Sequence, residues 1–185
     1  DGRVLRFGGE VMKNVAGYDV ARLMAGSLGI LGVLLDVSLK VLPRPAAERT
    51  LVLEVDQAGA LDRLSALGRT ALPLSAGSWV DGRLYLRFEG CDATLESVER
   101  RVGGEAITDA DAFWTSLREQ THPFFAGAVP LWRCTVPSLA PPLPLDGGPL
   151  MEWNGQQRWY RCAPDTPLFA AAAAAGGHAT HFRHR

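Results

Sequence analysis

The chain has 185 residues, a formal net charge of −1 and 47% apolar residues. That supplies enough apolar surface for one or two packed domains, and the near-neutral balance excludes the basic patch of a nucleic-acid binder. No apolar run approaches the roughly 20 residues that cross a bilayer, and Cys91, Cys134 and Cys162 lack the Cys-x-x-Cys spacing of zinc or iron–sulfur sites, so they read as reduced, buried thiols.

Asp1-Gly2 reads as a hairpin turn, followed by a short strand over residues 2–8 that ends at Gly8-Gly9. A start without Met and the abrupt His178-Ala-Thr-His-Phe-Arg-His-Arg185 ending read as those of a fragment. Residues 11–15 form an irregular or extended piece. Tyr18, Leu23 and Met24 share the apolar face of a short helix over 17–24. Lys13 and Asp19 each carry two readings: ligand contacts, or a solvated lysine and a helix-initiating aspartate. Gly26-Ser-Leu-Gly-Ile-Leu-Gly-Val33 then sets three glycines at a spacing of three. Glycine permits positive φ and close approach to the backbone, so such a turn can present peptide N–H groups to a flat cofactor carrying phosphates or ring carbonyls. The bare pattern fits a structural turn equally: it lacks the strand-first order of a dinucleotide fingerprint and the spacing of a P-loop. Residues 31–42 read as a strand, buried over 33–41, with Val37, Leu39 and Val41 alternating with Ser38 and Lys40.

Pro43-Arg-Pro45 is the best boundary, since two prolines stop strand pairing and stiffen a linker. The expected division is 1–42, a linker at 43–49, and 50–185. A strand over 50–55 leads to Asp56, the N-cap of a helix with Ala60, Leu61, Leu64, Leu67 and Ala71 on one face. Strands 75–80 and 83–89 flank Asp81-Gly82, a type I′ hairpin. Asp92 caps a helix that Gly103-Gly104 stops, and 105–107 is a short strand. Asp109 or Asp111 opens a further helix to about Gln120, ended by His122-Pro123. After a strand over 131–136, the proline-rich stretch 137–149 is a loop where a repeat would carry a helix. Strands 150–153 and 157–162 flank Asn154-Gly155, a second hairpin. Thr166 caps a helix that starts at Pro167 and ends at Gly176-Gly177, and 178–182 is either a closing strand or a frayed tail. Strand-helix-hairpin-helix-strand therefore occurs at 50–107, with a damaged copy at 131–182. Two such units side by side give an α+β layer structure, an antiparallel sheet covered by helices with ferredoxin-like repeats.

The run from Gly9 to Leu42, with Asn14-x-x-Gly17-Tyr18-Asp19 followed by Gly-Ser-x-Gly-x-Leu-Gly-Val, resembles the vanillyl-alcohol-oxidase/PCMH-type flavoproteins. Within that family it most resembles the FAD-binding subunits of glycolate oxidases. The resemblance implies that 1–42 ends a PCMH-type FAD-binding domain whose pyrophosphate loop lies upstream, and that 50–185 is a truncated cap holding substrate or a partner. It implies FAD as cofactor of the full-length subunit, lined through backbone groups by Ser27, Leu28, Gly29, Ile30, Leu31, Gly32 and Val33. The implied activity is flavin-linked oxidation of glycolate, a 2-hydroxy acid, to glyoxylate by the complex, the fragment alone being inactive. The implied partners are a sister FAD-containing subunit and an iron–sulfur subunit. The implied location is the cytoplasm, with attachment to the inner membrane through the complex as an alternative.

A guanidinium fork can grip a carboxylate with two hydrogen bonds. The resemblance points to Arg118, in Leu117-Arg-Glu, and Arg133 as substrate-binding, because related dehydrogenases carry basic residues on this cap helix and the following strand. A relative's Trp stands three residues before its Arg, whereas Trp114 stands four before Arg118. Both arginines also read as solvated surface residues. Catalytic relatives carry His-x-x-Gly-Asp-Gly-Asn-x-His on the second hairpin and a later Glu-His pair. Here that hairpin reads Met151-Glu-Trp-Asn-Gly-Gln-Gln-Arg-Trp159, so no metal set is expected, and His178, His181 and His184 read as an extended remnant. Two other readings stay open: a non-catalytic assembly subunit with a vestigial flavin site, and a free-standing α+β module for a small acid.

Overall fold

The computed structural model describes residues 2–8 and 17–183, and the chain divides into two compact units, one ending at Pro43 and the other Arg44–Arg185.

In the first unit the described secondary structure is one short helix, α1 (Val20–Met24). Asp19 starts it: its Oδ1 accepts from the Arg22 amide at 3.0 Å, the helix-initiating reading of this residue. The helix is shorter than expected and buries none of its residues; Leu23, and Tyr18 just before the helix, are exposed. Residues 2–8 and 31–42, expected as strands, are not strands among the described residues, and the 33–41 stretch expected to be buried is exposed. Every described strand lies in the other unit, so these segments have no ladder to join, and an extended chain without a ladder buries nothing. The expected piece at 11–15, Asp1 and Lys13 lie outside the described residues.

The second unit is a single eight-stranded antiparallel sheet with helices on it, the α+β architecture expected. Its strands are β1 (Ala47–Glu54), β2 (Leu74–Val80), β3 (Arg83–Gly90), β4 (Glu105–Ile107), β5 (Leu131–Thr135), β6 (Leu150–Glu152), β7 (Gln157–Arg161) and β8 (His178–Arg183). They lie in the order β4-β1-β3-β2-β6-β7-β5-β8. The two quartets follow the same order read from opposite ends, and they join where β2 pairs β6 through Ser78–Glu152 and Trp79–Met151.

Alternation along the strands sorts side chains to two faces. On the first, Leu84, Leu86 and Phe88 of β3 meet α2 (Gln57–Leu67) and α3 (Asp92–Val102) in one core. Trp132, Cys134 and Tyr160 meet α5 (Leu168–Ala174) in another. The Asp56 cap is as expected, its Oδ1 accepting from Gly59 N at 2.8 Å. Asp81 and Gly82 adopt φ of 50° and 77°, the paired left-handed conformation of a type I′ turn. Two caps move by one residue: Cys91 rather than Asp92 precedes α3, and Pro167 rather than Thr166 precedes α5, neither with a side-chain cap bond. The second hairpin is wider than an Asn-Gly turn, because Trp153, Asn154 and Gly155 are all left-handed, at φ 53°, 55° and 77°. The loop 137–149 sits on the same face as the helices, contributing Ala140 and Leu143 to the second core. Arg158 ties it down: fully buried, it donates from Nε to Gly155 O at 2.9 Å, from Nη1 to Pro141 O at 2.6 Å and from Nη2 to Ala140 O at 2.5 Å. On the opposite face α4 (Ala110–Arg118) and a 3-10 turn (Pro123–Phe125) pack Leu117, Phe125, Val80, Leu150 and Trp159 together.

Candidate functional site

The glycine-bearing turn of the first unit is built by α1 and its exit. Ser27 N donates to Met24 O at 3.2 Å, and Ile30 N donates to Ser27 O at 3.0 Å. Leu28 and Gly29 between them are left-handed, at φ 51° and 81°, and Gly26 adopts φ 77°. Two of the three glycines are thus required by backbone conformation; Gly32 is not among the left-handed residues. The amides of Leu28, Gly29, Leu31, Gly32 and Val33 donate to no backbone carbonyl among the described residues. A Cβ built on Gly26 or Gly29 meets no atom within 4 Å, and Leu28, Ile30 and Val33 are exposed. The turn therefore offers unspent amide donors and open space, which suits a group such as FAD approached through main chain.

In the second unit the candidate residues lie on the face that carries α4. Arg118 ends that helix, exposed, with its Nε 2.7 Å from Glu119 Oε1. Arg133 of β5 alternates with Trp132 and Cys134, which are buried against α5, so it points to the α4 face, half-buried, with its guanidinium 5.7 Å from the Phe182 ring centre. The two arginines share none of these contacts. Trp114 is structural: its Nε1 donates to Thr50 Oγ1 at 2.9 Å, and Arg87 lies over its ring. His122 caps the 3-10 turn, its Nδ1 accepting from Phe124 N at 3.2 Å; burial lowers its pKa, and Asp81 nearby opposes that.

Two side-chain anchors were missed in the sequence. Arg161 spends its fork on the 3-10 turn and the loop after it, donating to Phe124 O at 2.6 Å, Val129 O at 2.5 Å, Gly127 O at 3.2 Å and Phe125 O. Glu152 accepts from Trp159 Nε1 at 2.7 Å and Gln157 Nε2 at 3.0 Å. The end of the chain takes the closing-strand reading: residues 178–183 form strand β8 on β5, not a frayed tail. His178 lies opposite Thr135 and is exposed, whereas His181 stacks on Trp132 with ring centres 4.4 Å apart; His184 lies outside the described residues. Among the described residues no three His, Cys, Asp or Glu side chains converge as metal ligands, and no helix is long and apolar enough to cross a membrane.

No family model matches the chain. It is 45% identical to glycolate oxidase subunit GlcE of Escherichia coli (strain K12) over 182 residues, 98% of this chain and 51% of that protein. Over 52 residues, 28% of this chain and 11% of each relative, it is 42% identical to glycolate oxidase subunit GlcD of Bacillus subtilis (strain 168) and 36% identical to D-lactate dehydrogenase of Anaerostipes hadrus. The chain thus spans about half the length of the first of these relatives and a small share of the other two.

Proposed function

We propose that this chain, a GlcE-like glycolate oxidase subunit sequence along nearly its whole length, is part of the FAD-binding subunit of a complex that oxidises glycolate to glyoxylate. The observation that carries the reading is the 45% identity over 98% of the chain, which takes in both the glycine turn and the arginine-bearing sheet. The first unit is the end of a PCMH-type flavin domain. Ser27, Leu28, Gly29, Ile30, Leu31, Gly32 and Val33 line FAD, the amides of Leu28, Gly29, Leu31, Gly32 and Val33 meeting its oxygen and nitrogen acceptors. The second unit is a cap built as two ferredoxin-like repeats, and Arg118 and Arg133 hold the carboxylate of a small 2-hydroxy acid on its α4 face. Bound FAD would supply a two-electron acceptor. The hairpin between β6 and β7 lacks the paired histidines of catalytic relatives, so we assign hydroxyl activation to a sister flavin subunit, the GlcD-like partner. This subunit then passes electrons onward to an iron–sulfur subunit, in a complex placed in the cytoplasm or at the inner face of the membrane.

The test is the absorption spectrum of the full-length subunit purified alone, before and after anaerobic glycolate. Retained flavin that bleaches only when the sister subunit is added supports the relay. Flavin bleached by glycolate without the sister would move catalysis into this subunit. A colourless subunit overturns the proposal and leaves the assembly role with a vestigial site.

A further inference from the structure

The end of β8 is irregular in a way that has a chemical consequence. Trp132 lies opposite His181 and Leu131 opposite Arg183, so Phe182 is an extra residue in the ladder. Such a bulge re-aims the side chain that follows it. By strict alternation Arg183 would share the face of His181, which stacks on buried Trp132 under α5. With the bulge it falls instead opposite Leu131, on the α4 face. There its guanidinium lies 6.0 Å from the Phe182 ring centre, the ring that Arg133 approaches to 5.7 Å, and its Nη2 donates to Gln120 Oε1 at 2.5 Å.

Two guanidiniums thus approach one aromatic ring, and neither forms an ion pair among the described residues. A third, Arg161, is close enough for Arg183 to depress its pKa further, after the effect of its own burial, and its donors are committed to four backbone carbonyls. Phe182 is held edge-on against Trp159, ring centres 4.9 Å apart, so the ring that both arginines approach is held in place. Clustering like charges costs free energy that a bound anion offsets, and a planar guanidinium pair matches a carboxylate better than a point charge would.

We propose that Arg183 and Arg133, beside Phe182, form a binding subsite for a small carboxylate, with Arg183 a binding residue that none of the sequence motifs indicates. The proposal deepens the small-acid reading of the α4 face and rests on it for the class of ligand, but it needs no flavin. The test is a titration of the full chain with glycolate and with acetate, following the arginine Nε–Hε resonances by NMR and the heat by calorimetry. Glycolamide serves as the uncharged control and sodium chloride as the adventitious-anion control. Arg183→Gln and Arg133→Gln should each weaken carboxylate binding tenfold or more, and Arg183→Lys should restore part of it. Arg63→Gln, exposed on α2 on the other face of the sheet, should change affinity less than twofold. Unchanged thermal melts identify variants that fold. Equal affinity in Arg183→Gln and wild type overturns the subsite, as do glycolamide binding equally well or chloride giving the same resonance shifts. A subunit without flavin that still binds acetate through Arg183 sinks the redox reading and leaves the subsite standing; a flavin subunit indifferent to Arg183→Gln does the reverse.

Discussion

Arg158 is a buried cation satisfied by carbonyls rather than by a carboxylate. Its three acceptors come from two segments, Gly155 at the hairpin and Ala140 and Pro141 on the proline-rich loop. Arg158→Met leaves those carbonyls unpaired beneath the loop, and unmade buried hydrogen bonds are costly, so the change should destabilise the sheet unit by about 3 kcal/mol. A shift in urea midpoint worth under about 1 kcal/mol would mean that the loop packs without its anchor. The thiols separate by environment in the same way. Cys91 is exposed, and its bond to Thr94, 3.2 Å between Sγ and Oγ1, lowers its pKa. Burial pushes Cys134 up to about 12, with Cys162 nearby adding to the effect. A maleimide at neutral pH should therefore label Cys91 first and spare Cys134 in the folded chain, which mass spectrometry of the digest reads directly. Burial likewise raises Tyr160 to about 12. Both are acids whose folded pKa exceeds the unfolded value, so the stability they contribute is whole below about 9 and falls as pH climbs towards about 12. Melting temperature should hold to about pH 9 and drop above it; a melt that stays flat to pH 11 would contradict the burial of these groups.

At the scale of elements, the β6–β7 hairpin depends on Gly155. A Cβ there would lie 2.3 Å from Leu61 Cδ2, at a φ of 77° that side chains rarely adopt. Gly155→Ala should cost about 2 kcal/mol, measured as a shift in denaturation midpoint. By comparison, Gly82→Ala has open space around the new methyl and carries only the backbone part of that cost. Much of this architecture was legible in the sequence because local rules and tertiary structure agree. Asp81-Gly82 can hardly do other than turn, Asp56 caps α2, and Leu84, Leu86 and Phe88 alternate into one core. What was hidden depends on register. The bulge at Phe182 reverses the face of the next side chain, and nothing in His178-Ala-Thr-His-Phe-Arg announces which residue is the extra one. Arg158 and Arg161 read as ordinary polar strand residues; only folding brings their carbonyl acceptors within reach. Residues 31–42 fail differently. Their alternation is that of a strand, but a pattern specifies which face to bury and not the partner that buries it.

For the whole molecule, the two units differ in how far they satisfy their own sequence. The sheet unit buries Leu51, Leu84, Leu86, Phe88 and Leu150 almost completely, whereas Leu28, Val33, Leu35, Leu39 and Leu42 stay largely exposed. Hydrogen exchange of this chain should find the amides of 31–42 exchanging within seconds and those of β1 and β3 protected by orders of magnitude; protection of 31–42 would require pairing absent from the described structure. The functional claim rests on that first unit, where backbone amides around Gly29 face open space. The most direct test is the flavin content per polypeptide of the full-length subunit carrying Gly29→Val, compared with wild type. A valine there has room for its side chain but not for its backbone, at φ 81°, so it distorts the turn and leaves the sheet unit untouched. The account predicts a yellow wild-type subunit and a variant that has lost most of its flavin while the sheet unit melts at the same temperature. Equal flavin in both would contradict it.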